Sequence, residues 1–104
     1  MAGRPFPPPP VPGTDQVLPI TSAEELSAEG RAQHHCVGSY DQQVRQGSVY
    51  VYRVAAPVRS TLSIMRRPDG TWRRPELRGA GNSRVPERTV EMVDRWLAQY
   101  RLSV

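Results

Sequence analysis

The chain has 104 residues, of which 38% are hydrophobic and 23% charged, and a formal net charge of +4. That is one domain with a core able to fold alone. No run approaches the roughly 18 apolar residues of a membrane span, and the N-terminus lacks the apolar core of a signal peptide. A single cysteine closes no internal disulfide, which points to a reducing cytoplasm.

Residues 1–19 form a proline-rich leader that includes Pro7-Pro8-Pro9-Pro10. Proline fixes φ and lacks an N–H, so this stretch reads as a polyproline-like linker or as a strap across the fold. It could also serve as a ligand for an aromatic groove on a protein partner. The folded domain is assigned to residues 20–104. It opens with a helix whose first turn carries a capping box, Ser22 with Glu25, or Thr21 with Glu24 one register earlier. Leu26, Gly30, Gln33 and Val37 share one face of that helix, and Gly38 occupies its C-cap. Ser39 with Gln42 marks a second, short helix, stopped by Gly47.

Strands follow. Ser48–Val54, rich in Val and Tyr, has both faces apolar and reads as an inner strand. Arg59–Arg67 alternates, Pro68-Asp69-Gly70 is a turn, and Thr71–Arg78 returns with Pro75 at an edge or a bulge. A glycine loop, Gly79-Ala80-Gly81-Asn82, leads to a last helix with Pro86 near its start. Its apolar stripe is Val90, Val93, Leu97 and Tyr100, widened by Met92 and Trp96. The expected fold is α+β: a three-stranded antiparallel sheet packed against N- and C-terminal helices, with the helices on one side.

Two constellations carry chemistry. His34-His35-Cys36 holds both histidines and the only cysteine. Zinc is disfavoured, because three consecutive helical side chains diverge by about 100° and cannot converge on one ion, and no metal or cofactor is expected. A Cys36 thiolate with a neighbouring histidine is the basis for a nucleophilic enzyme; a small buried cysteine at a helix junction is the plainer reading.

The second constellation is basic. Arg45 to Arg84 contains nine arginines against Asp69 and Glu76, a net of +7. Arg53, Arg59, Arg66, Arg67, Arg73, Arg74, Arg78 and Arg84, interleaved with Trp72, Tyr50 and Tyr52, suit a strand of DNA or RNA. In such contacts guanidinium groups meet phosphate and rings stack on bases. The alternative is a solvated sheet face.

Taken together, HHCVGSY after the first helix, Gly47-x-x-Tyr50, Arg78-Gly79-x-x-Asn82 and Trp96-Leu97 resemble the PcfJ-like family over residues 17–98. That family occurs on conjugative plasmids, phages and bacterial chromosomes, so the resemblance implies a mobile-element setting without a fixed reaction. It also implies that His35, Cys36, Gly38, Tyr40, Gly79 and Asn82 form one shared site or structural junction. The leading expectation is a small cytoplasmic module that binds nucleic acid. One alternative is a cysteine enzyme with His34, His35, Cys36, Tyr40 and Asn82 as its candidate catalytic set, the Gly79–Asn82 loop holding an oxyanion. The other is a protein-interaction adaptor.

Overall fold

The computed structural model describes residues 6–33 and 40–101. In chain order the elements are β1 (Val17–Pro19), α1 (Ala23–Gln33), α2 (Asp41–Gln46), β2 (Val49–Val54), β3 (Ser60–Arg66), β4 (Trp72–Arg78), a 3-10 turn at Ala80–Asn82 and α3 (Glu87–Arg101). The class is α+β and the sheet is antiparallel, but it has four strands, in the order β1-β2-β3-β4. The added strand lies inside the proline-rich stretch. Val17 pairs with Val54 and Pro19 with Tyr52. An edge strand leaves one side unpaired, so a proline that cannot donate is tolerated there.

Local chemistry explains the element ends. Ser22 Oγ accepts the Glu25 amide at 3.2 Å. The Glu25 carboxylate reaches back one residue further than a capping box requires, accepting from the Thr21 amide at 3.0 Å and hydroxyl at 2.8 Å. These bonds, led by the Thr21 hydroxyl, hold the Glu25 carboxyl below its ordinary range. Gly47 closes α2 at φ 82°, a conformation glycine adopts without a Cβ penalty. In the β3–β4 turn Asp69 Oδ1 accepts from the Thr71 amide at 2.9 Å, and Gly70 takes φ 89°. The β3–β4 register slips by one residue between Ser63 and Met65, where β4 carries Arg74 and Pro75. The expected C-cap at Gly38 and second capping box at Ser39 lie outside the described residues.

Helices cover both faces of the sheet, not one. Tyr50, Tyr52, Leu62, Ile64 and Leu77 alternate onto the same face. There the Tyr52 ring meets Trp96 of α3 edge-on, with centroids 5.0 Å apart. Thr61, on the opposite face, bonds Glu29 of α1. Of the expected α3 stripe, Val93, Trp96 and Leu97 are buried, and Val90 and Met92 pack against the core. Each fully buried aliphatic side chain contributes about 2 kcal/mol.

The described part of the proline-rich stretch packs on the fold. Phe6 and Val11 are buried in the core. Because a proline run offers carbonyls and few N–H groups, the sheet and α3 supply donors. Tyr50 Oη donates to Pro7 O at 3.0 Å, Tyr52 Oη to Val11 O at 2.7 Å, and Trp96 Nε1 to Pro12 O at 2.9 Å. The Arg45 guanidinium lies over the Phe6 ring, 5.2 Å from its centroid.

Among the described residues no helix is long and apolar enough to cross a membrane.

Candidate nucleic-acid interface

The basic constellation divides into three parts. At the turn end of the β3–β4 hairpin, Arg66, Arg67 and Arg73 are exposed. Arg66 pairs across the hairpin with Trp72, and Arg73 with Met65. The Arg73 Nη2 group lies 3.5 Å from Met65 Sδ. Trp72 is partly buried against the core, so it forms a wall and not a free stacking platform. Across the sheet near the other strand ends, Arg53, Thr61 and Arg78 form one row, and Arg84 is exposed in the loop beyond. Arg74 stands apart. Its Nε and Nη2 groups grip Asp94 of α3 at 2.7 and 3.2 Å, so it fastens β4 to α3. Tyr50 and Tyr52, expected to stack on bases, are buried under the strap with 2% and 0% exposure. They are unavailable to a strand of DNA or RNA.

A second charged feature was not assigned from the sequence. Glu29 is 4% exposed. Its carboxylate takes a two-pronged contact from Arg59, with Nη1 to Oε2 at 2.8 Å and Nη2 to Oε1, and a further bond from the Thr61 hydroxyl. The signal was present in helical spacing. Glu29 stands three residues after Leu26 and four before Gln33, bordering their arc, so a carboxylate beside that buried stripe needs a partner in the interior. Among the described residues the ion pairs are Arg59–Glu29 and Arg74–Asp94. Guanidinium groups tied to carboxylates are poorly placed for phosphate, which leaves the hairpin end as the most concentrated free positive charge.

Beside that hairpin end, on the sheet face shared with α1, lies a cavity of about 520 Å³. Val49, Ser63 and Met65 form its floor. Tyr40, Gln43 and Ser48 line the α2 side, and Glu76 and Arg66 the others. Ser63 is buried. Tyr40 Oη donates to Glu76 Oε1 at 2.9 Å, which fixes the carboxylate at the cavity edge.

Of the candidate catalytic set, His34, His35 and Cys36 lie outside the described residues. Tyr40 and Asn82 are described: Tyr40 stands at the cavity, and Asn82 is exposed in the 3-10 turn against which α1 packs. Both Gly81 and Asn82 take φ 64°, a left-handed conformation that asparagine tolerates better than most residues. The loop turns three of its amides on itself, with Gly79 N to Ser83 O, Asn82 N to Gly79 O and Ser83 N to Ala80 O, at 2.8, 3.1 and 3.2 Å. Those amides are not directed at an oxyanion. Among the described residues no group of three or more His, Cys, Asp or Glu side chains is placed to hold a metal.

Fold and site define a small α+β module: a four-stranded antiparallel sheet between helices, with an arginine-rich hairpin end beside a mixed polar and apolar cavity. The family model for PcfJ-like proteins matches residues 11–93, and the chain belongs to the PcfJ-like family. Comparison with curated proteins and comparison with solved structures each gave no match.

Proposed function

We propose that this protein is a nucleic-acid-binding module whose contact surface is the turn end of the β3–β4 hairpin, working in the cytoplasm of a bacterium in a plasmid- or phage-associated setting. The observation that carries the reading is the placement of Arg66, Arg67 and Arg73 together at that end, exposed and apart from the ion pairs that engage Arg59 and Arg74. Guanidinium forks match phosphate oxygens in two-pronged geometry. Arg78 at the far end of β4, Arg53 on β2 and Arg84 in the loop beyond extend the positive field across the sheet and steer an approaching polyanion. Single strands suit the surface better than a duplex groove, because the cavity beside the arginines admits a base that a duplex keeps stacked.

The test is fluorescence anisotropy of labelled single strands over a salt series, comparing the protein with Arg66→Ala/Arg67→Ala/Arg73→Ala. Three phosphate contacts give a slope of log affinity against log salt of about −2 on single strands. The triple variant is expected to lose most of that slope, whereas Arg74→Ala leaves it nearly intact. No measurable binding at low salt sinks the proposal.

A second reading, a cysteine-dependent enzyme, draws on the position of Tyr40, whose hydroxyl reaches Glu76 at the cavity edge. It requires fast alkylation of Cys36 in the native protein at neutral pH. Alkylation that waits for denaturant removes it.

A further inference from the structure

We infer that the cavity bounded by Tyr40, Ser63, Met65, Arg66 and Glu76 seats one unstacked guanine base of the bound strand, with Glu76 as the residue that reads it. The inference rests on the nucleic-acid reading above and adds to it a site for the base.

The cavity combines two kinds of wall. Val49 and Met65 give it an apolar floor that suits the flat face of a ring, and at about 520 Å³ it holds a nucleoside with room for solvent. Among the described residues of its lining, Glu76 is the only carboxylate and Arg66 the only cation. An ionised carboxylate is an acceptor with about four lone-pair positions on its two oxygens. The Tyr40 hydroxyl takes one of them at 2.9 Å, which holds the group at a fixed angle and leaves positions on both oxygens. Guanine is the base whose pairing edge presents two adjacent donors, N1–H and the 2-amino group, and these meet two carboxylate oxygens in parallel. Adenine and cytosine each present one amino group beside a ring acceptor, which a carboxylate repels. Thymine and uracil present one N–H flanked by carbonyls. Unstacked bases are commonly read on this edge by side chains.

The sugar and phosphate have a place as well. Arg66 lies on the cavity lining, and Arg73 reaches Met65 of its floor from the adjoining strand position. A base inserted toward Glu76 therefore leaves its phosphate at the two arginines assigned to the backbone. Base specificity and phosphate affinity thus sit on opposite sides of a single nucleotide, one on Glu76 and the other on Arg66 and Arg73.

The chemistry is that of a guanine nucleotide, free or within a strand, and the experiment separates the two. Labelled pyrimidine strands of about ten nucleotides, identical except for one central base (guanine, hypoxanthine, adenine or the parent pyrimidine), are titrated by anisotropy with the whole protein and with Glu76→Gln. Guanosine monophosphate is added as competitor in a further arm. The guanine strand is expected to bind about tenfold tighter than the adenine strand. Hypoxanthine, which keeps N1–H and lacks the 2-amino group, is expected to fall between them. Glu76→Gln presents a donor amide in place of one oxygen. It is expected to abolish the guanine preference, so that the guanine strand binds no tighter than the adenine strand, while the melting temperature stays unchanged.

Displacement by the mononucleotide only at concentrations far above the strand's assigns the cavity to a base within a strand. Displacement at concentrations matching the strand's overturns the strand assignment in favour of a free nucleotide. Equal affinity for all four strands, with the salt dependence preserved, overturns guanine recognition and leaves the hairpin reading standing. Absence of binding to every strand overturns both.

Discussion

Tyr52 and Val11 bond each other twice: the phenol donates to the Val11 carbonyl at 2.7 Å and accepts the Val11 amide at 3.2 Å. Tyr52 is 0% and Val11 2% exposed, so the pair satisfies both main-chain groups of a strap residue where water does not reach. Replacing Tyr52 by Phe keeps the ring against Trp96 but leaves the Val11 N–H and C=O unpaired. A loss of about 2–3 kcal/mol is expected, measurable as a lower urea midpoint at unchanged m-value. A change below about 0.5 kcal/mol would show that the strap is not held by this pair.

The same burial sets an alkaline limit. Desolvation pushes the Tyr52 phenol well above its ordinary value, and Tyr50 moves in the same direction for the same first reason. A group whose folded pKa is raised contributes stability that is fully present below its unfolded pKa. Stability is therefore expected to hold up to about pH 10 and to fall as pH rises beyond it, since the unfolded phenols ionise there while the buried ones resist. Tyr52→Phe is expected to flatten that decline in part, with the share of Tyr50 remaining. Denaturant midpoints taken between neutral and strongly alkaline pH check this.

Acid titration has the opposite sign at Glu25. Its folded pKa is lowered by the Thr21 bonds, so its stabilisation is present above the ordinary carboxylate range and disappears as pH falls through the folded value. Thr21→Val removes the hydroxyl donor and keeps the amide. It is expected to narrow the difference in stability between neutral and acidic pH, by a few tenths of a kcal/mol at so exposed a group.

Glu29 and Arg59 should behave as a unit. Arg59→Ala strands a buried carboxylate and is expected to destabilise by about 3 kcal/mol. Replacing both residues by Met removes the charge pair and fills its volume. The double variant is expected to lie within about 1 kcal/mol of the parent, and equal losses in the single and double variants would contradict the pairing.

Two glycines test the backbone. A Cβ at Gly13 would stand 2.6 Å from both Val17 O and Pro19 Cδ. Neither neighbour is the end of a flexible side chain, so Gly13→Ala must displace the strap from β1, at about 1–3 kcal/mol. Gly81 has open space around it but φ +64°, so Gly81→Ala meets only conformational strain of about 1 kcal/mol. Thermal denaturation of the two variants side by side gives the order.

What the sequence disclosed was whatever local chemistry decides. The turn at Pro68-Asp69-Gly70, the caps at Ser22 and Gly47 and the α3 stripe each depend on residues a few positions apart, and each stands where its spacing put it. β1 was missed because three residues beside prolines become a strand only through Val54 and Tyr52, far along the chain. Tyr50 and Tyr52 were rightly placed on an inner strand, yet their rings were assigned to bases because nothing local says that a proline strap covers them. Arg59 and Arg74 were counted with the phosphate-binding arginines, since Glu29 and Asp94 approach them only through the packing of α1 and α3 on the sheet. Charge concentration was legible; which charges are already partnered was not.

The most direct measurement of where nucleic acid binds is an amide and indole NMR titration of the protein with a short single strand at low salt. The expected result is that the largest shifts fall on Arg66, Arg67, Arg73 and the Trp72 indole, with smaller ones at Ser63 and Glu76, while Trp96 and the strap stay still. Shifts centred on the strap or on α3, with the hairpin unmoved, would contradict the hairpin interface.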